Sequence, residues 1–309
     1  MRVLLEVVAP VFAVIALGWA AARWRHVDQA GFRGLNAFTF GLAAPALLFL
    51  GGTTGPGGGG AAALAFFLGT AVLYAGTLWA ARRGAGMALG PAGMLALDAT
   101  FGNTVMMGIP LVTAAFGAEA LAVLLAILAL HSMLLLGTAT VVAELALHAN
   151  APLGRVLRAT ALGVLRNPIV MAVALALAWR LLGLPAPAGA AQRTLELLGA
   201  AGPPVALFCL GGSLAGFDAR GMWRETALAC ALKLLAMPLL VWAAARLLGL
   251  SPFETAVTVV VAALPTGANA YLLAQRYRIG AERSGATVLV STLLSLATLS
   301  ALLAWFGTG

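Results

Sequence analysis

From residue 120 to residue 143 the chain carries no Asp, Glu, Lys or Arg. Coiled as a helix at 1.5 Å per residue, such a run is about 36 Å long, enough to cross a hydrocarbon core about 30 Å thick. Lipid offers no partner for a bare N–H or C=O, so an apolar run of this length is consistent only with a spanning helix. The rest of the chain has the same character. Of 309 residues, 62% are hydrophobic and 9% charged. A globular surface needs far more charge than that, which excludes a soluble protein. Polar segments are all shorter than about 20 residues, too short for a separate soluble domain. The sequence therefore predicts an all-α polytopic membrane protein.

Hydropathy in windows of about 20 residues predicts ten spans, near 3–22, 35–52, 61–81, 91–116, 120–143, 161–182, 194–216, 224–245, 252–275 and 284–306. The first run could be read as a signal peptide, since Ala20-Ala21-Ala22 mimics a cleavage site. Glu6 nearly cancels Arg2, however, so the basic leader is missing and a mature span is expected. Cys209 and Cys230 sit in apolar runs, and a disulfide framework is not indicated.

A net charge of +8 would suggest nucleic acid in a soluble domain. Here it follows the loops instead. Thirteen of the 18 basic residues fall on the odd-numbered loops, among them Arg82, Arg83, Arg155, Arg158, Arg166 and Arg283. Four fall on the other side, and Lys233 lies inside span 8. This bias puts the odd loops in the cytoplasm and both termini outside the plasma (inner) membrane. A wrong number of spans would scramble the alternation.

The chain also resembles itself. PALLFLGG at 45–52 matches PVALFCLGG at 204–212, and Pro10 matches Pro168. Trp19 matches Trp179, and Trp79-Ala80-Ala81-Arg82 matches the run from Trp242 to Arg246. The offsets are 158–163. Two five-span repeats, 1–150 and 151–309, are expected. An odd number of spans per repeat inverts one half relative to the other, as in many secondary transporters.

One stretch contradicts a plain spanning helix. FGNTVMMGIP, residues 101–110, places two glycines, an asparagine and a proline inside span 4. The repeat offset of 163 carries Gly102-Asn103 onto Pro265-Thr266, within ALPTGANA at 263–270. Both breaks fall about 18–20 Å from the start of their spans, near the middle of the bilayer. Unwound backbone is tolerated there only against protein or a wet cavity. Two matched breaks would turn half-helix N-termini, with their free N–H groups, toward one site that favours anions. Asn103 and Asn269 would add amide groups. Gly102, Thr266 and Gly267 would supply backbone, and Gly108, Pro110 and Pro265 would keep the helices broken. Two independent proline kinks are the alternative.

Several motifs in order carry a family resemblance. They are Gly102-Asn103 through Gly108-Ile109-Pro110, Asn167-Pro168, Gly211-Gly212-Ser213-Leu214, and Pro265 with Gly267-Ala268-Asn269-Ala270. Together, over roughly residues 3–306, they resemble the auxin efflux carrier family, whose bacterial members include malonate and malate carriers. The resemblance implies ten spans, extracellular termini and broken helices 4 and 9 that cross. It also implies a scaffold of spans 1, 2, 6 and 7 and a moving transport unit of spans 3–5 and 8–10. The fifth loop is only about 145–160, so nothing points to auxin itself or to kinase regulation.

Ionisable groups within spans need partners. Asp98, seven residues after Pro91, lies about 10 Å deep, and Lys233, nine residues after Arg224, about 13 Å deep on the same side. If spans 4 and 8 are neighbours the two can pair, either as a static ion pair or as an ion-coupling element. His131 in span 5 is either a packing residue or a proton relay. Ser284, Thr287, Ser291, Ser295 and Thr298 share one face of span 10, suited to helix packing or to lining the crossing.

An enzyme is not expected. Gly211-Gly212-Ser213 resembles part of a nucleophile motif, but all three histidines precede Ser213 and no metal-binding helix motif occurs. The reading is a secondary active transporter of a small organic anion, a dicarboxylate such as malonate or malate. It requires no cofactor, metal or nucleic acid. Proton coupling is preferred over sodium, because Lys233 occupies space near a would-be cation site. A channel or sensor on the same fold, or a carrier of a monovalent or aromatic acid, is the alternative. A homodimer rests on analogy alone.

Overall fold

The computed structural model describes residues 8–54, 59–147, 168–217 and 222–307. Arg155, Arg158 and Arg166 of the fifth loop, and Glu6, His148 and Asn167, lie outside the described residues. Those described form helices throughout, with one isolated β-bridge and no strand.

We number the helices α1 (Ala9–Arg23), α2 (Gln29–Thr54), α3 (Gly60–Arg83), α4 (Leu89–Thr100), α5 (Thr104–Phe116) and α6 (Ala118–Leu147). They continue as α7 (Pro168–Leu181), α8 (Gly189–Leu214), α9 (Trp223–Leu247), α10 (Pro252–Ala262), α11 (Ala268–Tyr277) and α12 (Ala281–Trp305). Six of these, α2, α3, α6, α8, α9 and α12, are long and apolar enough to cross a membrane. Leucines and tryptophans such as Leu68, Trp79, Leu239 and Leu293 stay exposed on their outer faces, where lipid is the solvent.

Local chemistry sets the ends. Asp28 caps α2 by accepting from the Gly31 N–H at 2.7 Å. Ser251 and Glu254 form a reciprocal capping box at α10, with Pro252 in the first turn. Three spans also carry a widened, π-type turn: Thr39–Ala43, Thr104–Gly108 and Leu232–Ala236. Each precedes a proline by two residues, Pro45, Pro110 and Pro238. A proline donates no N–H and its ring collides with the carbonyl four residues back. Here those carbonyls belong to Gly41, Met106 and Leu234, all within the widened turns. The turn opens to relieve the clash.

Helices α1 and α8 pack backbone to backbone. A Cβ on Gly18 would meet the Phe208 carbonyl oxygen at 1.9 Å, and one on Gly211 would meet that of Ile15 at 1.9 Å. Helix α7 packs on α2, α3 packs on α9, and α4 lies between α3 and α6. The two interrupted segments, α4–α5 and α10–α11, meet at their gaps near the centre of the molecule.

Candidate functional site at the meeting of the two breaks

Helix α4 stops at Thr100 and α10 at Ala262. Between α4 and α5 the chain leaves the helix over Phe101, Gly102 and Asn103, and Pro265, Thr266 and Gly267 lie opposite them. The Asn103 N–H donates to the Pro265 carbonyl at 2.8 Å, and the Gly267 N–H donates to the Phe101 carbonyl at 2.9 Å. Gly102 and Thr266 are thereby paired as an antiparallel bridge. Each break satisfies backbone groups that the other exposes, as a medium without water requires. The bridge matches position 102 with position 266, an offset of 164, one more than the offset used in the sequence comparison.

Gly267 has no room for a side chain. A Cβ there would stand 2.8 Å from the Phe101 ring and 3.0 Å from the Gly102 carbonyl oxygen. Pro265 sits in the bridge itself. Pro110 lies further along, in the first turn of the helix that follows the widened turn, and it shapes that turn rather than the gap.

A cavity of about 40 Å³ opens beside the bridge. Gly102, Asn103 and Thr104 line it from one break, and Gly267, Ala268 and Asn269 from the other. Phe40 of α2 and Ser132 of α6 complete the wall. The structure thus brings Gly102, Asn103, Gly267 and Asn269 to one space. Thr266 is fully buried in the bridge and faces away from it. The Asn103 amide nitrogen is buried with no hydrogen-bond partner among the described residues. The first turns of α5 and α11 start at this cavity, and the first N–H groups of a helix have no acceptor one turn back within it. It has room for roughly two or three waters.

The ion pairs differ from the expected one. Asp98 does not pair with Lys233. Its Oδ2 accepts from Arg283 Nε at 3.1 Å and from Ser284 Oγ at 3.0 Å. Arg283 also reaches Glu225 Oε2 with Nη1 at 2.9 Å and the Pro91 carbonyl with Nη2 at 3.3 Å. Arg283 is 1% exposed, which corrects its assignment to a cytoplasmic loop. One turn of helix carries it inward from the start of α12. Lys233, in the widened turn of α9, donates instead to the Ala262 carbonyl at the end of α10. A cation at a helix C-terminus is favoured by the dipole and by the unused carbonyls there. His131 is buried between Phe101 and Phe66, with ring centroids 4.6 and 5.8 Å away. Neither ring nitrogen has a partner among the described residues.

Arg283 and Glu225 were missed as site residues because each stands at the edge of a hydrophobic run. The available signal was the polar face of span 10, which Arg283 and Ser284 begin. That face is tied to the bridge, since the Thr266 N–H donates to Ser291 Oγ at 3.0 Å. Thr266 Oγ1 in turn donates to the Asp98 carbonyl at 2.8 Å.

With this geometry in hand, comparison with known proteins is decisive at the level of family. The sequence pattern described as "Membrane transport protein" matches residues 3–303. The chain belongs to that family, the auxin efflux carrier family, and is a multi-pass membrane protein. It is also similar to a protein of Rhizobium meliloti (strain 1021) named "Putative malonate transporter", at 36% identity over 113 residues. That match covers 36% of this chain and 35% of the relative's length.

Proposed function

We propose that this protein is a secondary active transporter of a small organic anion, a dicarboxylate such as malonate or malate, bound where the two breaks meet. The observation that carries the reading is the buried, unpartnered Asn103 amide nitrogen in a cavity built from both breaks. A buried donor without a protein acceptor is costly unless a ligand or water supplies one. Two half-helix N-termini open beside it and favour negative charge. Asn269 lines the same wall, together with Gly102 and Gly267. The name of the Rhizobium relative favours malonate within this class.

The architecture we infer is ten spans in two inverted repeats, 1–150 and 151–309. The local two-fold symmetry of the antiparallel bridge supports it, as does the pairing of α1 on α8 with α7 on α2. Spans 1, 2, 6 and 7 act as scaffold and the others as a transport unit. Asn103 and Asn269 then sit on the moving part, facing Phe40 of the scaffold. A shift of the transport unit against the scaffold then exposes the site alternately to each side. The protein lies in the inner membrane with both termini outside, and protons drive transport in preference to sodium.

The test is uptake of radiolabelled malonate, malate and succinate by purified protein in liposomes, with pH, sodium and voltage gradients imposed separately. Saturable uptake of one of them, lost in Asn103→Ala, is the expected result. No uptake by folded protein would remove the dicarboxylate reading.

A further inference from the structure

The charged cluster beside the bridge is unevenly composed. Arg283 stands between two carboxylates, Asp98 and Glu225. Asp98 is fully buried, while Glu225 keeps 31% of its side chain exposed. With both acids ionised the cluster holds one negative charge in excess, and Glu225 can shed its share into water. Asp98 cannot. Its Oδ2 is saturated by Arg283 and Ser284, whereas its Oδ1 is buried and bare of partners among the described residues.

The same residue is wired to the substrate cavity. The Asp98 carbonyl accepts from Thr266, and Thr266 forms the bridge with Gly102, which lines the cavity. Contacts therefore run without a gap from the partly exposed Glu225, through Arg283 and Asp98, to the bridge. Asp98 is thus the buried acid of this cluster, with one carboxylate oxygen bound and the other bare among the described residues. From α12 it meets Arg283 and Ser284. From α9 it meets Glu225 through Arg283 and lies near the Cys230 thiol, while Lys233 is occupied by the Ala262 carbonyl. On the α3 side, the Tyr74 hydroxyl donates to the Gly93 carbonyl. On the α6 side, His131 packs against Phe101, and Glu144 accepts from Tyr277 of α11. From the break before α11 the neighbour is Thr266.

We propose that Asp98 is the coupling-proton site of this carrier, loaded from the Glu225 side, with Arg283 as the counter-charge shared between the two acids. A proton added to Oδ1 neutralises Asp98 and weakens its hold on Arg283, which then stays with Glu225. No covalent bond other than the O–H is made or broken. Because the main chain of Asp98 anchors Thr266, the change in its side chain is felt at the bridge. This inference rests on the transporter reading above but has a readout of its own.

The experiment uses full-length protein in liposomes and has two arms. The first is infrared spectroscopy of wild-type protein carrying ¹³C-labelled aspartate, across a pH titration. The chain has three aspartates, Asp28, Asp98 and Asp218, and Asp98→Asn assigns the band. A protonated carboxyl band that titrates and is absent in Asp98→Asn is expected. The second arm is malonate accumulation under an imposed pH gradient, about tenfold per pH unit for one coupled proton. In Asp98→Asn accumulation falls to the equilibrium level, and any exchange that persists loses its pH dependence. Glu225→Gln slows loading and leaves the final accumulation intact. If wild-type Asp98 shows no protonated band, or if Asp98→Asn still accumulates malonate, the proposal is wrong. If the band titrates but no dicarboxylate moves, the proton site stands and the substrate reading fails.

Discussion

The hydroxyl of Thr266 donates to the main-chain carbonyl of Asp98 at 2.8 Å, across 168 positions of sequence. Through this bond the second break holds the end of the helix before the first. Asp98 lies in the last turn of α4, where carbonyls have no intrahelical donor. Among the described residues, the other partners of Thr266 are reached through its backbone, in the bridge and at Ser291. One hydroxyl thus couples the gap geometry to the buried ion cluster.

Thr266→Val keeps the shape of the side chain and deletes this bond. A buried hydrogen bond of this kind is worth about 1 kcal/mol, with more lost when an acceptor is left bare. Uptake is expected to fall several-fold, with little change in thermal unfolding of the detergent-solubilised protein. Uptake at the wild-type rate would show that the hydroxyl does not set the bridge.

Asn103→Ala removes the unpartnered amide from the cavity while leaving the Asn103 backbone bond to Pro265 in place. Hydrogen bonds to charged ligands contribute about 1.5–3 kcal/mol, so malonate affinity should drop by roughly 10- to 150-fold. The cavity loses no support for the fold, so stability should be maintained or improved. Titration of substrate-induced thermal stabilisation measures both effects at once.

Arg283 holds two carboxylates and the Pro91 carbonyl. Arg283→Gln strands Asp98 as a buried charge, and breaking such a pair costs about 3–5 kcal/mol. Asp98→Asn made together with Arg283→Gln removes both charges. The double variant is expected to unfold at a higher temperature than Arg283→Gln alone. Equal melting of the two would mean that the pair carries little of the stability of the helix cluster.

Much of this was legible in the sequence because the bilayer imposes strong rules. Long uncharged runs had to be helices, and a break such as Gly102-Asn103 had to find a partner for its backbone. The partner proved to be Pro265 through Gly267, one residue from the offset that the repeat gave. The ion pairing was not legible. Depth along a helix put Asp98 and Lys233 at similar levels, but depth says nothing about which face a side chain takes. Lys233 lies in a widened turn ahead of Pro238, which turns it toward the end of α10. Arg283 was hidden by a different confusion. An arginine at the edge of an apolar run looks like a loop charge, and only the fold shows that Arg283 and Ser284, in the first turn of α12, are buried.

The scaffold has a test of its own. Gly18 and Gly211 let α1 and α8 touch through their backbones, with no space for a methyl group on either. Gly211→Ala must push the helices apart, and overpacking costs about 1–3 kcal/mol. Thermal stability is expected to fall, whereas the affinity of the surviving folded protein for malonate is expected to hold, because neither glycine lines the cavity.

Pro110 tests the widened turn that follows the first break. Its ring stands over the Met106 carbonyl and keeps Thr104–Gly108 wider than an α-helix. Asn103 is the first residue before that turn, and its carbonyl accepts from the Met107 and Gly108 N–H groups at 3.3 and 3.0 Å. In Pro110→Ala an N–H becomes available to Met106, and the turn can tighten to the α-helical pattern. Tightening rotates the start of α5 and draws Asn103 away from the cavity that it shares with Asn269. Folding should be preserved or slightly improved, since a helix gains a hydrogen bond. Malonate uptake should fall, and adding Asn103→Ala should then lower it little further, because the two changes act through the same amide. If the effects of the two substitutions instead multiply, Pro110 acts on transport by a route that does not pass through Asn103.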